Sequence, residues 1–502
     1  MLTSNIVVDR DFAIAPLDRH VFGTFVEHMG RCVYGGIYEA GHPTADAHGF
    51  RQDVLALTRE LGATMVRYPG GNFLSGYDWE DGVGPKKQRP GRLDLAWGST
   101  ETNEFGTNEF MTWCHAAGVE PMLAVNLGTR GPDAARQLIE YCNHPGGTLY
   151  SDRRRAHGFE QPHAVKYWCL GNEMDGPWQI CQKTAAEYGR IAQETAKVMR
   201  WVDPSVHLTA CGSSNHAMPT YGHWEHEVLE HCFEHVELIS LHQYFRNDAD
   251  DIRTYFAVIE DLDAFIKEVA AIADAVAAKH RSRKRIMLAL DEWNVWYKAH
   301  APSDLRKPGW PRAPRLIEEV YNFEDALIVG GVLITLMNNA DRVKVACLAQ
   351  LVNVIGAIMT EPGGPAWRQS IFHPFAQASR FGHGTVLRAN VQTDSYATAA
   401  HGRLDFLLAS VLNDDTTGRA TVFALNRSTA DEMRLAVELR DLGQRRIVYA
   451  SELHHADLKA ANTLAAPHAV EPCEHRDVAI AGTVLKAKLR PLSWNVFVTE
   501  PA

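Results

Sequence analysis

The sequence predicts an α/β protein in which a (β/α)8 TIM barrel is followed by an antiparallel β-sandwich. Between about residues 20 and 383, short apolar segments alternate with segments of helical periodicity, eight of each. Several of the short segments, such as IMLALDEW at 286–293, are almost entirely apolar, which is typical of parallel strands covered on both faces. After residue 384 strand-like segments dominate. Together these observations indicate a barrel domain and a second, all-β domain.

The eight barrel strands are predicted where a short apolar run ends in polar residues. This pattern suits a barrel, because the strands are buried along their length and their carboxyl ends open towards solvent. We place the strands at residues 21–27, 65–69, 121–126, 166–172, 208–212, 238–244, 286–293 and 348–352.

A helical segment follows each predicted strand. In the first of them, Val54, Leu57 and Leu61 recur at the spacing of one helix face. Pro132 stands where the first turn of a helix tolerates proline. A doubly wound sheet is the alternative, but no GxGxxG sequence follows any predicted strand. The helices are placed at residues 50–61, 108–117, 133–143, 184–202, 225–235, 251–280, 322–337 and 374–381.

The C-terminal part of the chain is predicted to form a jelly-roll-like β-sandwich, because turn-forming residues separate its strand-like segments. The first 16 residues contain two more such runs, IVVD and FAIAP, which we expect to pair with the C-terminal sheet. We therefore expect N-terminal strands at 1–16, a barrel domain at 17–383 and a sandwich domain at 384–502. The sandwich strands are placed at residues 385–391, 406–412, 420–425, 435–439, 447–451 and 495–499.

The composition excludes several classes of function. Of 502 residues, 61 are acidic and 50 are Lys or Arg, which gives a formal net charge of −11. Binding to nucleic acid or to an anionic membrane is not expected, because both need basic patches. The apolar run at residues 326–337 is too short to span a bilayer. The sequence starts without the features of a signal peptide and has nine cysteines but no CxxC motif, so we expect a cytoplasmic protein.

Polar residues are concentrated where the predicted barrel strands end, and barrel enzymes carry their active sites at that end. Glu173 follows strand four and Glu292 ends strand seven, so these two carboxylates should face each other across the barrel mouth. An opposed pair of this kind, among tryptophans, suits glycoside hydrolysis. The alternative is that either glutamate is a structural ion-pair partner. Because no phosphate-binding loop or HExxH motif accompanies them, we expect no cofactor and no metal.

Six motifs follow the predicted barrel strands in order: FVEHMG (25–30), RYPGGNF (67–73), WCLGNEMDGPW (168–178), SLHQYF (240–245), DEWNVWY (291–297) and AQLVNV (349–354). Together they resemble glycoside hydrolase family 51, the α-L-arabinofuranosidases. The GNE and DEW segments alone indicate only the wider clan of barrel glycosidases. Glu27, the Gly70-Gly-Asn72 segment and Gln350 narrow the resemblance to this family.

The resemblance implies a role for each candidate site residue. Glu173 corresponds to the general acid/base and Glu292 to the nucleophile. Asn172 corresponds to the residue that hydrogen-bonds the sugar 2-OH, Tyr244 to a phenol that orients the nucleophile, and Arg67 to an arginine beside it. Glu27, Asn72 and Gln350 correspond to groups that hold the remaining furanose hydroxyls. Trp97, Trp178 and Trp296 correspond to aromatic loop residues that shape the pocket and its leaving-group side.

The resemblance implies a retaining, exo-acting α-L-arabinofuranosidase that removes terminal non-reducing α-L-arabinofuranosyl residues through a covalent glycosyl-enzyme. Its substrates would be arabinan, arabinoxylan and derived oligosaccharides, and the enzyme would be a homo-oligomer, a hexamer in related enzymes. The alternatives are a same-fold glycosidase with β-xylosidase or endo-glucanase activity, a carbohydrate-binding protein without catalysis and a metal-dependent hydrolase. Preference for α-1,2, α-1,3 or α-1,5 linkages depends on loop shapes that the sequence does not define.

Overall fold

Eight parallel strands close into a barrel in the computed structural model, which describes residues 1–296, 308–398 and 401–502. The predicted (β/α)8 barrel is therefore confirmed. We number its strands one to eight in chain order. They are Gly23–Phe25, Met65–Tyr68, Glu120–Val125, Tyr167–Leu170, His207–Ala210, Leu238–Phe245, Met287–Val295 and Val343–Ala349.

Helices cover the outside of the barrel and bury their apolar faces against it. In Gln52–Leu61 the predicted face of Val54, Leu57 and Leu61 is buried, and the helix ends at Gly62, whose φ of +73° favours glycine. The α-helices are Gln52–Leu61, Thr107–Ala117, Pro132–Asn143, Leu149–Ala156, Ala185–Val202, His223–Cys232, Ile252–Tyr255, Ala257–Lys279, Phe323–Asn338 and Phe372–Phe381.

Two helical regions differ from the prediction. The sequence predicts one helix over residues 251–280, whereas the structure has a short helix, Ile252–Tyr255, followed by Ala257–Lys279. Helix Leu149–Ala156 is not predicted at all, because the side chains that it buries are polar and it has no apolar stripe.

The eighth barrel strand lies earlier in the chain than predicted. It spans Val343–Ala349 instead of residues 348–352. After it the backbone N–H of Gln350 donates a hydrogen bond to the carbonyl of Ile355, so the chain turns at the barrel mouth. The prediction ran past the end of the strand because the residues of this turn are as apolar and as buried as those of the strand itself.

The sandwich consists of two sheets that share one apolar core. All neighbouring strands are antiparallel except Leu2–Asp9 and Met433–Arg440, which are parallel. The five-stranded sheet has the order Asn390–Gln392, Leu2–Asp9, Met433–Arg440, Val484–Leu489 and Val478–Ala481. The seven-stranded sheet has the order Ala13–Pro16, Thr385–Leu387, Leu407–Asp414, Arg419–Asn426, Ser493–Pro501, Arg445–Leu453 and Cys473–Glu474. Three further strand pairs are Arg92–Asp94 with Ser99–Glu101, Ile358–Thr360 with Ala366–Arg368, and Ser395–Thr398 with Gly402–Asp405.

The segment predicted as one strand at residues 385–391 forms two short strands in different sheets. Thr385–Leu387 pairs with Ala13–Pro16 in the larger sheet, and Asn390–Gln392 pairs with Leu2–Asp9 in the smaller one. The chain thus crosses from one sheet to the other within a few residues. On these pairings we propose that residues 1–16 and 384–502 form one domain and residues 17–383 the other.

Helix Phe323–Asn338 lies between the barrel and the sandwich, and its residues from 323 to 337 are all buried. Two glycines allow close approach to it from either side. A Cβ on Gly330 would lie 2.7 Å from Trp494 Cε3 of the sandwich, and one on Gly331 would lie 2.2 Å from Ile259 Cδ1 of helix Ala257–Lys279. These contacts explain why the helix is apolar all round. In the described part of the chain no helix is both long and apolar enough to cross a membrane.

Candidate active site

A cavity of about 770 Å³ opens at the carboxyl ends of the barrel strands. Arg67 and Asn172 belong to the layer beneath it, where Arg67 donates hydrogen bonds both to Asn172 and to Glu292. The structure thus brings all the predicted site residues together at one place. Those that line the cavity are Glu27, Asn72, Trp97, Glu173, Trp178, Tyr244, Glu292, Trp296 and Gln350.

The end of strand four carries Glu173 into the barrel mouth. The strand stops at Leu170, before the predicted limit, because Gly171 has a φ of +93°. Glu173 itself has a φ of +43°, a left-handed conformation that costs energy for any residue with a Cβ. The turn leaves Asn172 and Glu173 buried side by side.

Both carboxylate oxygens of Glu292 accept a hydrogen bond. The Tyr244 hydroxyl donates to Oε1 over 2.7 Å, and Arg67 Nη1 donates to Oε2 over 2.9 Å. Arg67 is fully buried and also pairs with the neighbouring Asp291, with 3.1 Å between Nε and Oδ2. Burial lowers the pKa of Arg67, but Asp291 and Glu292 together raise it well above its usual range, so the guanidinium stays charged.

The side chains of Glu173 and Glu292 approach each other closely. One oxygen of each carboxylate and a ring nitrogen of His242 all lie within 4.8 Å of one another. His242 Nδ1 lies 3.0 Å from Glu173 Oε1 and 3.7 Å from Glu292 Oε2. The three groups therefore form one electrostatic cluster, in which the charge of each affects the others.

His242 is a site residue to which the sequence analysis assigned no role. Its Nε2 lies 3.2 Å from Asp291 Oδ1, so the ring joins Glu173 to Asp291. Burial lowers the pKa of His242, but the nearby Glu292 and Asp291 raise it to about 10 overall, and the ring is an imidazolium at neutral pH. The sequence does contain one indication that His242 belongs to the site. It lies two residues before Tyr244 on the same strand, and residues at that spacing share a face of the sheet.

Glu173 has the electrostatics of a proton donor. Burial raises its pKa, and the anionic Glu292 raises it further, while hydrogen bonds from His242 and Trp178 act in the opposite direction. The net effect is a pKa above the usual range for a carboxyl group. Trp178 Nε1 donates to Glu173 Oε2 over 2.6 Å, and the indole is 46% exposed at the cavity edge.

Glu173, His242 and Glu292 are also the one group among the described residues whose donor atoms lie close enough together to hold a metal ion. Metal binding by histidine requires a neutral imidazole. The His242 ring is protonated, and its nitrogens face the carboxylates of Glu173 and Asp291. The chemistry of this set therefore fits a cluster that holds protons better than it fits a metal site.

Glu27 anchors the opposite wall of the cavity. Its Oε1 accepts hydrogen bonds from the backbone N–H of Phe73 over 3.0 Å and from Trp97 Nε1 over 2.9 Å. Gln350 Nε2 lies 3.4 Å from Oε2. Burial raises the pKa of Glu27 to about 8 even though the Phe73 N–H opposes the shift. A neutral carboxyl group at this position can both donate and accept hydrogen bonds.

Gly71 keeps the space between three of these polar groups open. A Cβ at this position would lie 3.3 Å from Glu27 Oε2, 3.4 Å from Asn172 Nδ2 and 3.4 Å from Glu292 Oε2. Any ligand that contacts all three side chains must occupy the volume next to this glycine. The GGN segment of the sequence is thus explained by access to the site rather than by a turn alone.

The Gly71→Ala variant is expected to lower kcat/KM by roughly 100-fold, because the added methyl group displaces a bound ligand by about 1 Å. Steady-state kinetics on an aryl glycoside measure the effect. The matched control is Gly41→Ala, since a Cβ on Gly41 meets nothing within 4 Å. Equal activity of Gly71→Ala and wild type would contradict the placement of the ligand.

The far end of the cavity is lined by residues that the sequence analysis did not identify. Gln243 lies in strand six within the SLHQYF motif, where no role was assigned to it, and the others follow strands five and six and belong to no motif. Trp296, which was predicted, packs edge-on against Tyr244 with 5.2 Å between ring centroids. The unpredicted lining residues at this end are Ser214, Asn215, His216, Ala217, Gln243, Arg246 and Asp261.

Two family models match the chain. The one described as Alpha-L-arabinofuranosidase 1 domain covers residues 57–263, and the one described as Alpha-L-arabinofuranosidase C-terminal domain covers residues 291–493.

Individual proteins match over the whole length. An "intracellular exo-alpha-(1->5)-L-arabinofuranosidase 1" of Bacillus subtilis (strain 168) is 52% identical, with 99% of both chains covered. An "exo-alpha-(1->6)-L-arabinofuranosidase" of Bifidobacterium longum is 49% identical, with 98% of this chain and 96% of the relative covered. The solved structure of a family 51 α-L-arabinofuranosidase from Bifidobacterium longum superposes with a TM-score of 0.96 at 42% identity, covering 99% of both chains. The protein is therefore a glycoside hydrolase and belongs to family 51, the α-L-arabinofuranosidases.

Proposed function

We propose that this protein is a retaining, exo-acting α-L-arabinofuranosidase with Glu292 as nucleophile and Glu173 as general acid/base. The separation of the two carboxylates carries the proposal. Retaining glycosidases hold their carboxyl groups about 5–5.5 Å apart, whereas inverting enzymes leave about 6.5–9.5 Å for a water molecule. Oxygens of Glu173 and Glu292 lie within 4.8 Å of each other, which favours direct attack by one of them on the sugar.

In the first step Glu292 attacks C1 of the terminal arabinofuranosyl residue. The bond from C1 to the leaving oxygen breaks, and Glu173 gives its proton to that oxygen. In the second step Glu173, now a carboxylate, takes a proton from water, and the hydroxide oxygen displaces Glu292 from C1. Hydrogen bonds from His242 and Trp178 stabilise the carboxylate form of Glu173 between the two steps.

The residues around the two glutamates orient the reacting groups. Arg67 and Tyr244 fix the Glu292 carboxylate from both sides. Arg67 also holds Asn172 Oδ1 over 2.6 Å, while Asn172 Nδ2 makes no hydrogen bond with another described residue. This amide is free to donate to the sugar 2-OH. That bond strengthens as positive charge develops on C1, so it acts on the transition state.

We propose terminal arabinofuranosyl groups of arabinan, arabinoxylan and their oligosaccharides as the substrates. Relatives of similar identity are named for α-(1→5) and for α-(1→6) linkages, so relatedness alone does not select one. The name of the Bacillus relative includes "intracellular", which supports a cytoplasmic location for this protein as well. The hexamer stays a prediction, which light scattering after gel filtration measures.

Hydrolysis of 4-nitrophenyl α-L-arabinofuranoside, with the product followed by NMR, tests the proposal. The wild-type enzyme is expected to release arabinose first as the α-anomer, because two successive inversions at C1 restore the starting configuration. Release of the β-anomer first would exclude the retaining mechanism. Aryl β-xylosides and β-glucans are included, since faster turnover of either would favour the alternative specificities of the same fold. Unchanged activity in EDTA would exclude the metal-dependent alternative.

The pH dependence is expected to differ between poor and good leaving groups. Because its pKa is raised, Glu173 keeps its proton to a higher pH than an ordinary carboxyl group does, and it loses that proton as the pH rises further. Cleavage of a poor leaving group needs that proton, whereas cleavage of dinitrophenol does not. The ratio of kcat/KM for the poor to the good leaving group should therefore fall with rising pH in the wild type.

In Glu173→Ala the same ratio should not change with pH. Titration of Glu27 or His242 affects both substrates alike and cancels in the ratio. A ratio that falls equally in wild type and Glu173→Ala would show that another group donates the proton.

A further inference from the structure

A hairpin of the sandwich contacts the barrel beside the cavity. This sandwich hairpin consists of Ser395–Thr398 and Gly402–Asp405. Within it the buried Tyr396 donates a hydrogen bond from its hydroxyl to the carbonyl of Arg253 over 3.2 Å. The Arg253 guanidinium in turn lies over the Tyr396 ring, 5.0 Å from its centroid. The two domains are thus joined at the chain segment that follows strand six.

The same segment, residues 246–261, is held by the sandwich at three more points. His401 Nδ1, in the turn of the hairpin, lies 2.9 Å from Asp261 Oδ1. Arg427 Nη1 lies 2.7 Å from Glu260 Oε1, and Lys459 Nζ lies 2.5 Å from Asp250 Oδ1. A segment that carries side chains into the active site is therefore fixed from outside the barrel.

The position of this segment identifies which end of the substrate it meets. Glu27 and Gln350, which are expected to hold the sugar, follow strands one and eight. In the closed barrel these strands lie opposite strands four and five, and strand six is the neighbour of strand five. Glu173 and Trp178 follow strand four, and Arg246 and Asp261, which line the same cavity, follow strand six. The proton donor and this segment thus share the side on which the leaving group must depart.

We propose that the sandwich hairpin forms part of the subsite for the leaving saccharide. His401 is a positioning residue that holds Asp261, and the Asp261 carboxylate accepts a hydrogen bond from a hydroxyl of the sugar next to the scissile bond. Asp261 has one oxygen held by His401, and its side chain is 46% exposed, so the carboxylate remains accessible from the cavity. The class of ligand is a neutral pentosyl oligosaccharide, which offers hydroxyl donors to Asp261 and an apolar face to Trp178. This inference rests on the proposed function.

The test compares two substrates that differ in the leaving group. The leaving group of α-1,5-linked arabinotriose is a disaccharide, whereas that of α-L-arabinofuranosyl fluoride is a fluoride ion, which cannot contact a sugar subsite. In His401→Ala and in Asp261→Ala, the ratio of kcat/KM for the triose to that for the fluoride should fall about fivefold to tenfold, which is the usual net contribution of one hydrogen bond. The fall should come from a higher KM for the triose, with kcat little changed.

Three further variants separate this role from a general effect on folding. His401→Asn keeps a donor where Nδ1 lies and should restore most of the ratio. Arg403→Ala removes a hairpin side chain that bonds to Ser395 within the hairpin, and should leave the ratio at the wild-type value. The double variant His401→Ala/Asp261→Ala should lower the ratio no further than Asp261→Ala does, because the two residues act on one contact.

An unchanged ratio in both His401→Ala and Asp261→Ala would overturn the inference. So would an equal loss on triose and fluoride, since that indicates only a structural role. The proposed function is tested separately by the wild-type enzyme. If the wild type is active and the ratio is unchanged in the variants, only this inference is wrong. If the wild type cleaves neither substrate, the proposed function is wrong as well.

Discussion

Replacing Glu292 by alanine is expected to lower kcat/KM for arabinofuranosides by roughly 10⁴-fold or more, because the covalent intermediate can no longer form. The loss should be similar for poor and for activated leaving groups, since both need the nucleophile in the first step. Initial rates with 4-nitrophenyl and dinitrophenyl α-L-arabinofuranosides measure it.

Added azide sharpens this prediction. The azide ion fits the space that the Glu292 carboxylate leaves and attacks C1 of the α-configured substrate directly. A single inversion then yields β-L-arabinofuranosyl azide, identified by NMR. Glu292→Gln keeps the side-chain volume and should be as inactive as Glu292→Ala without azide, which excludes a packing effect. Substantial activity in either variant without azide would mean that the nucleophile is another residue.

Glu173→Ala should lose about 10²- to 10⁴-fold of kcat/KM on substrates with poor leaving groups, which is the usual contribution of a general acid. With dinitrophenyl arabinofuranoside the rate of the first step should be little changed, because this leaving group needs no proton. The second step should then be slow, since no base activates water, and a burst of dinitrophenolate should precede a low steady-state rate.

The azide product distinguishes this variant from the first. In Glu173→Ala the azide attacks the covalent intermediate on Glu292, so two inversions yield α-L-arabinofuranosyl azide. Glu194→Ala, which removes a carboxylate from the outer helix Ala185–Val202, serves as the control and should behave like wild type. Products of the same anomeric configuration from the Glu173 and Glu292 variants would refute the assignment of the two roles.

The barrel could be predicted from sequence because its strands are short, apolar and separated by helices of clear periodicity. The predicted strand boundaries are wrong where burial continues beyond a strand, as it does after Ala349. They are also wrong at residues 385–391, where one apolar segment contributes a strand to each of two sheets. Periodicity reports which face is buried and contains no information about which sheet a strand joins.

The candidate site was predictable in part for a similar reason. In a barrel the strand ends are also the functional end, so Glu173 and Glu292 stand out before any comparison. The importance of His242 depends on its contacts with Asp291 in strand seven and with Glu173 in the turn after strand four, and these contacts exist only in the folded chain. The contact of His401 with Asp261 joins residues of different domains, and no local pattern marks it.

Mass spectrometry of a trapped intermediate shows directly whether Glu292 forms the covalent arabinosyl-enzyme. Glu173→Ala is mixed with dinitrophenyl α-L-arabinofuranoside, quenched with acid during the burst and digested. The peptide that contains Glu292 is expected to gain the mass of one arabinosyl group, and fragmentation should place that group on Glu292. A burst without any covalent adduct, or an adduct on a different residue, would contradict it.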